Sequence, residues 1–365
     1  MRVFGKECRK LFRPGRSLGL LLFMAAALVL ISRTAQFPDT HDKAYEELVK
    51  EYGPTLDQAE YQTLLKAKSV YIEELGGEGW SRDRVHWAEI MADESKRQFV
   101  FLVDAIERIE EEIQFGYGFA FEKEPTETLK EQLRSCTPQE AARILFIVQT
   151  KELPLSSPGI CEIMESDPLL LLILVLIGCG VLILPYQLLD KNLETASLMV
   201  STRVGRRIFH LKIRACAAAG AAAAFVAALL HLALLWLNGV MIFWNVPVCG
   251  LGLRGIPFWV DLTFGQYLLL WIGLLVLAGI TAALLCALAA RLSGSFITAL
   301  TLALPALAIY GWGIHACTAV PLSLWYGDTF PASLFRTAGV PLLVLAALTL
   351  ASEIVLRLDA RRDIL

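Results

Sequence analysis

Six stretches of nearly unbroken apolar residues recur along the chain: Leu18 to Ser32, Pro168 to Leu189, Ala215 to Leu237, Tyr267 to Ala290, Phe296 to Ala316 and Gly339 to Leu356. A hydrocarbon core about 30 Å thick needs about 20 apolar residues in helical form, so each stretch predicts a membrane-spanning helix. The first is the weakest, being uncharged only from Ser17 to Ser32. A cleavable signal peptide is its rival reading, since a basic leader and a short apolar core precede a possible cleavage point near Ala35. Arg33 stands where cleavage wants a small residue, which favours a retained anchor.

The segments between the spans carry their own periodicities. From Asp39 to about Thr150 the chain is charged and helix-patterned, with no useful strand-like alternation. Thr55-Leu-Asp-Gln58 after Gly53-Pro54, and Thr137-Pro-Gln-Glu140, each fit a capped helix start, while Gly76-Gly77 and Gly79 mark a break. Phe99, Val100, Val103, Ala105, Ile106, Ile109 and Ile113 recur at three- and four-residue steps, leaving Glu107, Glu110 and Glu111 on a wet face. Gly239 to Gln266 is apolar yet broken by Pro247, Gly250, Gly252, Gly255 and Pro257, and with Trp244 and Trp259 it reads as a re-entrant or interface-hugging external loop. Phe4, Cys8, Leu11 and Phe12 form a stripe among lysines and arginines, the pattern of an interfacial amphipathic helix. Cys216, Gly220 and Ala224, four residues apart, let a neighbouring helix come close.

Charge sets the orientation. Arg2, Lys6, Arg9, Lys10, Arg13 and Arg16 precede the first span against a single acid, Glu7, which places that end in the cytoplasm. Lys191, Arg203, Arg206, Arg207, Lys212 and Arg214 then fall inside, as do Arg291 and the tail residues Arg357, Arg361 and Arg362. The segment Arg33 to Asp167 holds 28 of the 36 acids and only 15 of the 33 Lys and Arg residues, so it belongs outside. The expected fold is all-α and polytopic: a cytoplasmic leader over 1–16, a first span over 17–33, an external helical domain over 34–167 and a second span over 168–189. A cytoplasmic connector over 190–214, four further spans within 215–356 and a tail over 357–365 complete it, with both termini cytosolic in a plasma membrane. A net charge of −3 thus combines a basic inner face suited to anionic lipid with an acidic outer one, and neither calls for nucleic acid.

Chemistry in the chain is sparse. It has 8 cysteines with no C-x-x-C and no Cys/His spacing that fits a metal, so no metal site is expected. Cys136 and Cys161 in the external domain could close a disulfide, free thiols being the alternative. There is no G-x-x-x-x-G-K-[ST] loop to cradle a triphosphate. Ser293 and Ser295 fall on the inner side, while His231 and His315 lie near the outer ends of their spans, which argues against intramembrane hydrolysis. Glu353 is the one charged residue expected within a span, and an i,i+4 pair with Arg357 accounts for it. With no line of buried carboxylates or lysines, ion-coupled transport has little support.

The connector Asp190 to Arg214 carries a short apolar stripe, Leu189, Leu193, Ala196 and Val200, with Lys191, Asn192, Glu194 and Thr195 across much of the opposite face. Such a helix can lie on lipid or fit a groove in a soluble partner. Glu194, Ser201-Thr202-Arg203, Gly205-Arg206-Arg207 and Lys212 resemble the connector of permease subunits of type-2 ABC exporters, especially the Firmicutes-like group with E…ST-x-x-GR…K. Leu262 to Trp271 is similar to that family's approach to its fourth span, and Arg291 to Leu300 to its turn into the fifth. Many members place proline where Val200 or Ser201 stands here.

The resemblance implies an exporter subunit that is not itself an enzyme and needs no cofactor in this chain; a separate ABC ATPase binds ATP and Mg and docks at Glu194, Ser201, Thr202, Arg203, Gly205, Arg206, Arg207 and Lys212. It further implies pairing as a homodimer, or as a heterodimer with a second permease. The alternative is a membrane receptor or sensor whose acidic external domain binds a ligand.

Overall fold

The computed structural model describes residues 2–37, 40–77, 90–112, 152–155, 157–192, 203–247, 263–293 and 295–318, together with Ala346, Leu350 and Ile354. The described chain is mostly helical, and five of its helices are long and apolar enough to cross a membrane, which marks a membrane protein. After the short α1 (Arg2–Leu11), the first of these five is α2 (Pro14–Ile31), started by Pro14 at its first position. Three helices of the intervening segment follow: α3 (Thr40–Tyr52), α4 (Gln58–Glu74) and α5 (Glu94–Glu112). The remaining long helices are α6 (Pro158–Asn192), α7 (Arg203–Leu237), α8 (Phe264–Leu292) and α9 (Phe296–Thr318). Of the expected sixth span only Ala346, Leu350 and Ile354 are described, each helical, so Glu353 and Arg357 lie outside the described residues.

Two helices are longer than their apolar runs. α6 begins ten residues before Pro168 and passes through both Pro168 and Pro185, while α7 begins twelve residues before Ala215. The reason lies in the polar residues at their ends. Asp167 and Lys212, which hydropathy reads as boundaries, are buried against partners and so continue the helices rather than ending them. The expectation that Glu353 alone is charged within the spans therefore gives way, because Asp167 and Lys212 fall inside the long helical spans.

The bundle is held by close packing, since lipid removes most of the hydrophobic drive between helices. α7 and α8 meet at Gly220 and Gly279, where a Cβ on Gly220 would overlap the Gly279 carbonyl. Cys216 and Ala224, on the same stripe, are fully buried, as expected from their spacing. α1 lays Phe4, Cys8 and Leu11, with Phe12 just after it, against this bundle rather than against lipid alone.

A second core joins the polar segment to the spans. Leu56, Leu64, Ile106 and Leu153 pack with Val240 and Phe243, from the 3-10 turn Val240–Phe243 after α7, and with Phe264 and Leu268 at the start of α8. Phe37 and Phe243 meet edge to face, with centroids 6.2 Å apart. Among the described residues of this segment, the helices and the short 3-10 turn Thr34–Gln36 are joined by a two-residue antiparallel ladder of β1 (Thr55–Leu56) with β2 (Leu153–Pro154). That ladder displaces the expected cap: Thr55 is held extended and donates its hydroxyl to Glu152, so Asp57 caps α4 in a reciprocal box with Glu60. Gly76 and Gly77 end the helix with φ of 103° and 91°, as the break predicts. Cys136, Gly79, Trp259 and the Thr137 cap lie outside the described residues.

Candidate functional site

The connector's described parts are the ends of α6 and α7. Glu194, Ser201 and Thr202 lie outside the described residues, while Arg203, Gly205, Arg206 and Arg207 form the first turns of α7. α7 is one unbroken helix from these arginines to Leu237, so the basic run is the direct extension of a span. Lys212 sits apart from the other connector residues: it is only 4% exposed.

What surrounds Lys212 ties α1 to the connector. Glu7 on α1 accepts a hydrogen bond from the Tyr186 hydroxyl of α6 at 2.6 Å and from Lys10 Nζ at 2.8 Å. Lys212 Nζ lies 5.6 Å from the centre of the Tyr186 ring, a cation over an aromatic face. Beside them Gln187 donates to Cys216 Sγ at 2.9 Å. Burial alone raises the Glu7 pKa, but the hydrogen bonds from Lys10 and Tyr186 and the charges of Lys212 and Lys10 overcome it and hold the carboxyl below the ordinary range. A carboxylate, a phenol and two ammonium groups thus fasten three helices at one point.

A second cluster closes the other end. Asp167 on α6 accepts from the backbone N–H of Arg33 at 2.8 Å and of Thr34 at 3.2 Å, and from the Thr34 hydroxyl at 2.5 Å. His231 Nε2 on α7 lies 3.1 Å from Asp167 Oδ2 and 3.2 Å from Thr34 Oγ1. Because the threonine hydrogen is committed to Asp167, Nε2 carries the hydrogen that both oxygens accept. Asn238 completes the site by donating to the Thr34 carbonyl at 2.6 Å. Arg33 reaches Glu162 at 2.8 Å on the exposed rim.

A threonine, a histidine and an aspartate together invite comparison with a hydrolase relay. In a relay the acid holds Nδ1 while Nε2 faces the nucleophile. Here one nitrogen faces both oxygens, and Thr34 donates to the acid instead of to the imidazole. The cluster is therefore a joint between helices. Ser293 is likewise occupied, donating to the Ala289 carbonyl at the end of α8. Among the described residues no group of three or more His, Cys, Asp and Glu side chains fits a metal ion.

The two clusters lie a long way apart along the same pair of helices. Asp167 and Tyr186 are nineteen residues apart on α6, as are Lys212 and His231 on α7. At helical rise both separations are about 28 Å, close to the thickness of a hydrocarbon core.

Sequence reasoning missed Glu7, Tyr186, Asp167 and His231 as a group. The available signal was the odd acid in a basic leader and a histidine in an apolar span, but their partners are 179 and 64 residues away. Cys161 lies on α6 and Cys136 outside the described residues, so the disulfide expectation rests on sequence. No protein family, no curated protein and no solved structure matches this chain.

Proposed function

We propose that this chain is the membrane-spanning permease subunit of an ATP-driven ABC exporter, working with a separately encoded ATPase that binds ATP and Mg and moving an amphiphilic substrate outward. The observation that carries the reading is mechanical. The connector with the E…ST-x-x-GR…K pattern is bracketed by two helices of 35 residues each, α6 and α7, which run from it through the bundle. Rigid helices transmit a push at their ends, and Lys212 and Tyr186 fasten both of them to α1 just inside the connector. Closure of an ATPase on Glu194, Arg203 and Arg206 would tilt α6 and α7 together and rock the bundle between inward-open and outward-open states. The connector and both termini are cytosolic in this reading, and a second permease copy or a homologous partner supplies the other half.

Charge reversal at Arg206 is the test, because reversing one member of a desolvated charged contact costs several kcal/mol. Co-purification of a candidate ABC ATPase should fall in Arg206→Glu, or its ATPase activity in lipid should lose its dependence on the permease. Failure of the wild-type chain to retain any ATPase after crosslinking would sink the proposal.

A sensor is the second reading. It is favoured by the continuous core from α3, α4 and α5 onto Phe243 and Phe264, which would carry an event in the external segment into α7 and α8. A neighbouring kinase gene, with no ATPase gene beside it, would turn the choice that way.

A further inference from the structure

A cavity of about 330 Å³ opens between α2, α6 and α7, with an almost wholly apolar lining. One wall is α2 from Pro14 to Met24, and the other is Leu182 with Ala222, Ala223 and Val226. Small residues on α7 make the space, since the alanines leave room that larger side chains would fill.

The groove has a definite length and a definite direction. From Pro14 to Met24 is ten residues, about 15 Å of helix, or half of a hydrocarbon core about 30 Å thick. It starts beside the α1–α2 joint, where Phe12 and Pro14 line it, and follows α2 to Met24. Leu18 and Leu21, which line it, are 57% and 40% exposed, so its open side is continuous with the surface that lipid tails cover.

The mouth is cationic. Arg13 lies between Phe12 and Pro14, both lining residues, and Arg16 adjoins Ser17, another; both arginines are exposed. From Cys8 to Gln36 the chain has no acid, and Glu7 is already bonded to Lys10 and Tyr186. An apolar slot about 15 Å long beneath two exposed guanidinium groups matches a phospholipid with an anionic headgroup.

We infer that this groove is a specific site for an anionic phospholipid, one acyl chain lying between α2 and α7 and its phosphate against Arg13 and Arg16. The lipid braces α2 on the bundle, where few of its own residues are buried. The site stands independently of the exporter and sensor readings.

Photo-crosslinking tests it. The full chain, purified in neutral detergent, is given phosphatidylglycerol carrying a diazirine in one acyl chain, and adducts are mapped by mass spectrometry. Adducts should fall on Leu18, Leu21 or Val226, and unlabelled phosphatidylglycerol should compete about thirtyfold better than phosphatidylcholine, the order expected for two basic contacts. Ala222→Phe fills the slot and should abolish those adducts. Should that variant not fold, Arg13→Gln with Arg16→Gln leaves the apolar walls intact and should remove the headgroup preference while adducts persist. Equal competition by the two lipids, arginine variants that keep the preference, or adducts unchanged in a folded Ala222→Phe protein would each overturn the site. So would crosslinks showing the groove filled by residues 339–356 or by a second copy of the chain.

Discussion

Glu7 holds two donors at once from a side chain only 7% exposed, so its loss is costly at both ends. Glu7→Ala leaves the Tyr186 hydroxyl buried beside Lys212 without their carboxylate, and breaking a buried pair of this kind costs about 3 kcal/mol or more. Thermal unfolding in detergent should show it, and Glu7→Gln should fall between wild type and alanine. The pH dependence follows from the lowered pKa. Because the folded form holds the proton less tightly than the unfolded chain, this stabilisation is complete above the ordinary carboxylate range and is lost as pH falls through the lower folded value. Glu7→Gln should flatten that acid limb of the melting curve; an unchanged limb would assign it to another group. At the other end of the bundle, Asp167→Ala removes the acceptor of the Arg33 and Thr34 N–H groups and of the Thr34 hydroxyl and leaves His231 Nε2 only Thr34 Oγ1, each buried donor left unpaired costing about 1–3 kcal/mol. Its destabilisation should exceed that of Asp167→Asn, which keeps an acceptor oxygen.

Helix pairs obey the same physics through shape. The α7–α8 contact rests on Gly220 and Gly279, and a side chain at Gly220 must push backbone away because a carbonyl stands where its Cβ would go. Gly220→Val should lower stability by about 2–3 kcal/mol, in the range of overpacked cores. Gly273 on α8 has open space around its missing Cβ, and Gly273→Ala should be neutral or stabilising by up to about 1 kcal/mol. Equal effects in paired melting curves would show that the close approach does not hold these helices. The four-residue spacing of Cys216, Gly220 and Ala224 made this contact readable from one helix, although not which helix would meet it. Caps were less legible. Thr55 and Asp57 both suit a helix start, and only the ladder with Leu153–Pro154, about a hundred residues away, takes Thr55 out of the competition. Asp57→Ala should cost about 1 kcal/mol.

For the whole molecule, the second core makes the polar segment and the spans one folding unit. Phe243 is fully buried between Phe37 and the helices of that segment, so Phe243→Ala should cost about 3–5 kcal/mol. Amide exchange in α3 and α5 should accelerate with it, whereas independent units would confine the change to the turn after α7. The proposed topology is checked at Ser69, exposed on α4. A Ser69→Cys chain should react with an impermeant thiol reagent in intact cells above the wild-type background; labelling only after lysis would invert the orientation.

Hydropathy alone marked the apolar stretches of the five long helices, because crossing a membrane requires local composition that one stretch of chain carries by itself. Charge asymmetry and the small-residue stripe on α7 were legible for the same reason, each being written within a few turns. Only the tertiary structure decided that Glu7, Asp167, His231 and Lys212 are interior. Each is polar by sequence and becomes tolerable in the bundle only through a partner on another helix: Tyr186 for Glu7, Thr34 and Asp167 for His231. The same distant contacts carried α6 and α7 past their apolar limits and turned the basic leader from a lipid anchor into part of the bundle. A one-dimensional pattern reports the period and polarity of a segment, whereas the cost of a buried charge depends on which helix faces meet, and that depends on the packing of the whole chain.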